Sequence, residues 1–105
     1  MTRGTTPTIT LYINNRNIDF NDVDLFQIAI TQGNVEVVHD TNDESGIVID
    51  PDKKSLSLRL TQEETFMFKE GEADIQVRIK YKDGDVAATI CKRTMISRSL
   101  DNEVL

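Results

Sequence analysis

The chain has 105 residues, enough for one hydrophobic core and too few for two, so we expect a single domain over residues 1–105. Its net charge of −6 argues against binding to nucleic-acid phosphates, which needs clustered Lys and Arg. Its single cysteine excludes an intramolecular disulfide and a cysteine-based metal cluster within one chain. The charge therefore predicts no nucleic-acid partner. No apolar run approaches the roughly 18 residues that a membrane span needs, so we also expect no membrane partner.

The first predicted strand lies at residues 9–13 and follows a mostly polar segment. Residues 1–7 have no apolar period and are interrupted by a glycine and a proline, which predicts a flexible N-terminal arm. Ile9, Leu11 and Ile13 then alternate with more polar residues. This period of two is expected of a strand that has one face on a core.

A hairpin is predicted next. Every second residue of the segment 25–31 is apolar and bulky, and residues 35–38 are rich in valine. The connection between them, residues 32–34, contains a glycine and has the length of a common hairpin loop. We therefore expect two antiparallel neighbours.

Two shorter strands follow the hairpin. Residues 47–49 are β-branched, and the turn formers at 50–52 include a proline, which supplies no ladder donor and ends the strand. Leucines then alternate with serine and arginine from residue 56 to residue 60, which predicts a strand with one buried face.

One short helix is predicted near residues 61–67. Thr61 and Glu64 have the spacing of a capping box, in which each side chain satisfies a backbone N–H of the first turn. Phe66 and Phe68 are the residues expected to pack this helix against the core.

The last predicted pair of strands forms a second hairpin. Residues 75–81 alternate without interruption, and the Asp-Gly pair at 83–84 is a strong signal for a tight turn into a return strand at 86–90. The apolar phase then changes, and a bulge near 92–93 accounts for the change. Residues 98–105 lack a period and are predicted to be a C-terminal tail.

About seven short strands at regular spacing, with one small helix, predict an all-β fold. We expect an antiparallel immunoglobulin-like β-sandwich, because a short helix between two core strands resembles the crossover of that fold. The sequence alone leaves the strand order open.

The acidic loop at residues 40–46 is the first candidate for a binding site. If Gly46 takes the sixth position of an EF-hand loop, Thr41 becomes the first ligand and Asp52 the twelfth, where an aspartate and a glutamate are required. The match is poor, so we expect a solvated turn. A weak cation site on a sandwich loop is the alternative.

No residue of the chain lies in a recognisable catalytic motif. His39 is the only histidine and is predicted to be a surface loop residue, with Asp40 merely its neighbour in sequence. Cys91 lies in a predicted strand, where a thiol commonly acts as a small apolar core residue. We expect no enzyme, no catalytic residue, no bound metal and no cofactor.

A basic strip on the final hairpin is the one charge pattern that departs from the acidic average. Its basic residues are Arg78, Lys80 and Lys82, with Lys92, Arg93 and Arg98 further on. The strip residues that we predict as a candidate interaction surface are Gln76, Arg78, Lys80, Lys82 and Arg93. An ordinary solvated sheet face explains this pattern. The alternative is a contact surface that is complementary to an acidic patch on another copy or another protein.

Several stretches together resemble small prophage-encoded proteins of Gram-positive bacteria. They are residues 3–8 (RGTTPT), 60–65 (LTQEET), 68–71 (FKEG), 75–78 (IQVR) and 82–84 (KDG). A looser likeness is to the immunoglobulin-like N-terminal domain of phage baseplate upper proteins. Because the chain lacks the long C-terminal extension of those proteins, we expect a self-contained accessory, assembly or decoration protein.

These likenesses imply a non-enzymatic phage or prophage protein with a structural or assembly role in a tail, baseplate or capsid. Its partners are then other virion proteins or further copies of itself, and its location is the bacterial cytoplasm during expression and afterwards the virion. The alternative function is a small-ligand binding module that holds calcium or a carbohydrate at residues 39–52.

Overall fold

The computed structural model describes residues 1–2, 4–13, 18–42 and 46–97, with the backbone alone at residues 88–91. This part of the chain forms seven strands and one α-helix, with a 3-10 turn at Phe20–Asp22. The strands are β1 (Thr8–Tyr12), β2 (Val23–Gln32), β3 (Val35–Asp40), β4 (Val48–Asp50), β5 (Ser55–Arg59), β6 (Gly71–Tyr81) and β7 (Val86–Ile96). The helix, α1 (Gln62–Phe66), connects β5 to β6.

The strands form two antiparallel sheets that enclose the core. One sheet has the order β1-β5-β4 and the other has the order β3-β2-β6-β7. In immunoglobulin notation the seven strands stand in the places of B, C, C′, D, E, F and G, so that a B-E-D sheet faces a C′-C-F-G sheet. The predicted all-β immunoglobulin-like sandwich is confirmed.

The pairing of β2 with β6 forms the centre of the larger sheet. Phe26 lies opposite Ile79 and Ile28 lies opposite Val77, and all four side chains are at most 2% exposed. Burial of one such side chain contributes roughly 1.5–3 kcal/mol to folding. The apolar residues of the alternation that the sequence shows therefore lie on the inner face of this pair.

The smaller sheet covers this face with leucine. In the register of β1 and β5, Leu11 lies opposite Leu56 and Ile9 lies opposite Leu58. The three leucines are at most 3% exposed. Phe68, which follows α1, is completely buried in the same core.

Tight turns set the two hairpins. Gly33 and Asn34 alone separate β2 from β3, so the loop is one residue shorter than the three predicted. Gly33 has a φ of 56°, in the left-handed region that glycine adopts without strain. In the second hairpin the Tyr81 N–H donates to the Asp85 carbonyl at 2.8 Å and the Gly84 N–H donates to the Tyr81 carbonyl at 2.9 Å. The loop therefore holds three residues, and the predicted Asp-Gly pair are the last two of them.

The capping box of α1 is present. The Thr61 hydroxyl accepts from the Glu64 N–H at 3.2 Å, and the Glu64 carboxylate accepts from the Thr61 N–H at 2.9 Å. These two bonds satisfy two of the donors that a helix start leaves without a helical partner. They fix the point where the chain leaves one sheet for the other.

The bulge in β7 lies elsewhere than predicted. We expected it near residues 92–93, whereas the register of β7 against β6 shifts between Val77 and Arg78, where Thr89 is the additional residue. The reason is the length of β6, which extends far enough to pair with β7 on both sides of the bulge. The phase before the bulge is reversed as a result, and Val86, predicted to face inward, is 65% exposed.

Residues 1–7, predicted as a flexible arm, contact the domain at several places in the described structure. The Ser97 N–H donates to the Met1 carbonyl at 2.7 Å, beside a parallel bridge between Thr2 and Ser97, and the Leu60 N–H donates to the Pro7 carbonyl at 2.9 Å. The Gly4 N–H donates to the Thr65 hydroxyl at 2.9 Å, and this hydroxyl donates to the Thr5 carbonyl at 3.0 Å. The predicted tail at 98–105 lies outside the described residues.

The buried hydroxyl of Thr65 joins α1 to the N-terminal segment, so its removal tests this attachment. Thr65→Val keeps the size of the side chain and leaves the Gly4 N–H without this acceptor. We expect the free energy of unfolding to fall by about 1–3 kcal/mol, measured by urea denaturation. The control Thr8→Val makes the same change on an exposed β1 residue and should stay within about 0.5 kcal/mol. Equal losses in the two variants contradict the attachment.

Candidate interaction surface

The solvent side of the four-stranded sheet is the candidate surface, and we call it the outer face. On β6 its residues alternate with the buried ones, and they are Glu72, Asp74, Gln76, Arg78 and Lys80. Their register partners on the neighbouring strands lie on the same side of the sheet. The outer face is therefore a continuous surface held by a rigid two-sheet scaffold.

Three of the predicted strip residues gather at one end of this face, which we call the basic end. Arg78 and Lys80 are exposed on β6, and Lys82 is exposed in the turn that follows. The Lys82 N–H donates to the Asp22 carbonyl at 2.9 Å, which fixes the backbone of that turn. From Arg78 to Lys82 the chain spans roughly 13 Å at the rise of a strand.

Arg93, the fifth predicted strip residue, lies toward the opposite end of the outer face. It is opposite Asp74 in the register of β6 and β7. Its guanidinium lies 3.3 Å from the Asp74 carboxylate and 3.3 Å from the Glu72 carboxylate. All three side chains are at least half exposed, so we expect these pairs to add at most about 1 kcal/mol each to stability.

The structure thus shows an acidic end that the sequence analysis missed. Glu72 and Asp74 lie there on β6, and Glu36 lies on β3 opposite Thr31, which in turn is opposite Asp74. The signal was available in the alternation of β6, which extends back from Ile75 to Gly71 in phase with Gln76. Along β6 the basic and acidic side chains are therefore separated, whereas Arg93 on β7 and Asp40 on β3 each lie at the end of opposite charge.

Uncharged residues lie between the two ends and along one side. Gln76, Ala29 and Val38 stand in one row across three strands, and Val38 is 39% exposed. On β7, Val86 and Met95 lie opposite Lys80 and Glu72 respectively. Both are more than half exposed, so the surface offers apolar contacts beside its charges.

His39 occupies a different environment from the surface loop predicted for it. It belongs to β3, opposite Ile28, and therefore lies on the inner side of the sheet. Its side chain is 12% exposed, and its Nε2 contacts the Glu64 carboxylate of α1. The residue thus ties an edge strand to the crossover helix, a contact between positions 25 residues apart that sequence spacing does not reveal.

The environment of the Glu64 carboxylate shifts its pKa clearly. Burial alone raises this pKa, but the hydrogen bond from the Thr61 N–H and the contact with His39 outweigh burial and hold the pKa below its ordinary value of 4.5. The ionised carboxylate thus serves both the capping box and the histidine. Its chemistry here is structural.

The predicted ligand loop at 39–52 is only partly described, since residues 43–45 lie outside the described part. Within it, the Asp40 carboxylate accepts from the Asn42 N–H at 2.9 Å and the Asp50 carboxylate accepts from the Lys53 N–H at 3.2 Å. Among the described residues no group of three or more His, Cys, Asp or Glu is placed to hold a metal ion. The side chain of Cys91 also lies outside the described part.

An open groove of 540 Å³ lies at one end of the sandwich. It is lined by the segment 18–21, by Pro51 and Asp52, and by Lys54. The Lys54 ammonium donates to the Ile18 carbonyl at 3.3 Å, and this lysine has a φ of 51°, which is uncommon outside glycine. Two loops that are distant in sequence thus meet at this groove.

Comparison of the chain with protein-family models, with curated proteins and with solved structures found no match in any of the three. Among the described residues, no helix is long and apolar enough to span a membrane. The surfaces of the domain are therefore the evidence from which a function is inferred.

The contact between His39 and Glu64 predicts a pH-dependent contribution to stability. Because the folded-state pKa of Glu64 is lowered, its contribution is present above the ordinary value of 4.5 and is lost as the pH falls through the lowered pKa. We expect Glu64→Gln to lower the free energy of unfolding by about 1–2 kcal/mol at neutral pH. The difference from the wild type should shrink toward about pH 3, measured by urea denaturation across the pH range.

Glu63→Gln is the matched control, because it removes the same charge from an exposed residue of the same helical turn. Its effect should be within about 0.5 kcal/mol, because the exposed Glu63 side chain takes no part in the capping box. A Glu64→Gln effect that stays constant down to about pH 3 would show that the ionised carboxylate is not what stabilises this contact.

Proposed function

We propose that the protein is a non-enzymatic phage or prophage structural or assembly protein, an accessory of a tail, baseplate or capsid, that acts through protein–protein contacts. The observation that carries the proposal is the outer face, where the exposed charges of β6 are separated into a basic and an acidic end. Charges arranged in this way favour one orientation of a partner and repel others.

The apolar residues of the outer face support the same function. Val38, Val86 and Met95 are exposed on it beside the charged ends. Interfaces combine an apolar part, which gives up water on contact, with a charged rim that sets orientation. A surface with both components suits binding to another protein better than a purely solvated sheet face does.

The resemblance to small prophage proteins is the reason for assigning the partner to a virion. Of the stretches that carry it, residues 60–65 contain the capping box and residues 75–78 run along the centre of β6. Gln76 and Arg78 within the latter stretch are residues of the outer face. The proposed site of action is then the virion, after expression in the bacterial cytoplasm.

Purified phage particles provide the test. We expect the protein to sediment with particles induced from its host and to be detected in them by mass spectrometry. The double variant R78E/K80E should be depleted from particles at least tenfold, since it reverses the basic end. Absence of the unmodified protein from the particles contradicts the virion role.

The double variant K53E/R59E is the matched control for that experiment. It makes the same change in net charge at exposed residues of the smaller sheet and its turn, away from the outer face. We expect it to be retained in particles. Equal depletion of both variants would mean that net charge, rather than the outer face, controls incorporation.

A small-ligand binding module is the second candidate, and the groove at residues 18–21 and 51–54 favours it. Two residues of its lining, Pro51 and Asp52, belong to the loop at residues 39–52 that is predicted to bind calcium or a carbohydrate. This candidate predicts that a ligand at about 100 times its dissociation constant adds roughly 2.7 kcal/mol to stability. Thermal melting with millimolar calcium and with a panel of sugars measures this, and an unchanged midpoint throughout removes the candidate.

A further inference from the structure

The charges of the outer face are arranged with a symmetry of their own. Along β6, Arg78 and Asp74 lie two residues on either side of Gln76, and Lys80 and Glu72 lie four residues on either side. Each cation of this strand therefore has an anion at the same distance from the centre. A surface with this arrangement is complementary to a copy of itself turned by half a rotation.

We propose that the partner of the outer face is a second copy of this chain, bound face to face about a twofold axis that runs across the strands at the level of Gln76. This inference rests on the proposed function and names its partner. The axis sets Arg78 of each copy over Asp74 of the other, and Lys80 over Glu72. Each contact then occurs twice, as in every isologous interface.

The row of residues at the axis permits close approach of the two sheets. It contains Gln76, Ala29 and Val38, which carry no charge. A charged residue in this row would meet its own copy across the axis and repel it. Because this row has no charge, no residue at the centre of the face repels its own copy across the axis.

The same axis brings together Val86 and Met95, two exposed apolar residues of β7. Val86 lies at the level of Lys80 and Met95 at the level of Glu72, so the rotation places each Val86 over the Met95 of the other copy. Their exposed fractions are 65% and 56%, among the largest for apolar residues of the described chain. Contact between them removes apolar surface from water on both copies.

Two features oppose the contact and limit its strength. Arg93 already lies within 3.3 Å of Glu72 and Asp74, so the cations of the second copy share these carboxylates with it. On β3 the rotation sets Glu36 against Asp40, which are like charges at the edge of the face. Because the second feature is a repulsion, its removal should strengthen the dimer, whereas reversal of the charges on β6 should weaken it.

The size of the face also indicates a modest affinity. The strands of this sheet have ten, six, eleven and eleven residues. At about 4.8 Å between strands and roughly 3.4 Å per residue they give a face on the order of 600 Å². Two faces together bury on the order of 1,200 Å², at the lower limit of stable interfaces. We therefore expect a dimer with a dissociation constant in the micromolar range or weaker.

Sedimentation equilibrium over a concentration series tests the proposal. The wild type should dimerise at low salt, and about 0.5 M salt should weaken the dimer because exposed charges are screened. R78E/K80E and E72K/D74K should each raise the dissociation constant at least tenfold, whereas K53E/R59E should leave it unchanged. An equimolar mixture of the first two variants should form a heterodimer, since every reversed end then meets its opposite charge.

Glu36→Lys provides the test of opposite sign, because it replaces the repulsion with Asp40 by an attraction. We expect it to lower the dissociation constant at least threefold. Thermal melting of every variant checks that the fold is intact, in particular for E72K/D74K, which loses the ion pairs with Arg93.

Three outcomes overturn the inference: a wild type that is monomeric up to about 1 mM, a mixture of reversed variants that does not associate, or a Glu36→Lys variant that dimerises less well. A monomeric protein that is still incorporated into particles overturns self-association and leaves the virion role intact. A protein that dimerises but is absent from particles overturns the virion role and leaves self-association intact.

Discussion

The register of β2 against β6 is the constraint on which the rest of the molecule depends. It sets Phe26, Ile28 and Ile30 opposite Ile79, Val77 and Ile75 on the inner side of the larger sheet. Because side chains alternate between the two sides of a strand, a slip of one residue would turn the core residues to solvent and the charged residues inward. The buried side of this pair therefore fixes the composition of the outer face as firmly as it fixes the core.

The crossover between the sheets is held by polar contacts, whereas the sheets themselves are held by apolar ones. Thr61 and Glu64 begin α1, Glu64 reaches His39 of β3, and the Thr65 hydroxyl reaches the N-terminal segment. Thr61 and Glu64 satisfy each other within the first turn, and Glu64 and Thr65 also bond to parts of the chain that are distant in sequence. The helix has only five residues and little stability of its own, so these partners hold it in place.

The proposed function rests on the surfaces that neither the apolar core nor the polar contacts of α1 use. Among the described residues, the inner surfaces of the sandwich hold most of the large apolar residues, and the polar contacts at α1 serve the fold. The outer face with its two charged ends and the groove between two loops are the two candidates for recognition. The face is the stronger candidate because the charges of β6, the neutral central row and the exposed Val86 and Met95 fit the proposed partner, a second copy of the chain, whereas the groove offers only a shape.

Local pattern in the sequence determined the strands, the two tight turns and the capping box, because each depends on residues that are close together in the chain. Tertiary structure decided the rest. The position of the bulge at Thr89, the contact of His39 with Glu64 and the place of Arg93 at the acidic end all depend on pairing between residues that are distant in sequence. A single sequence specifies which side of a strand a charge lies on; only the strand order and register specify which charges share its surface.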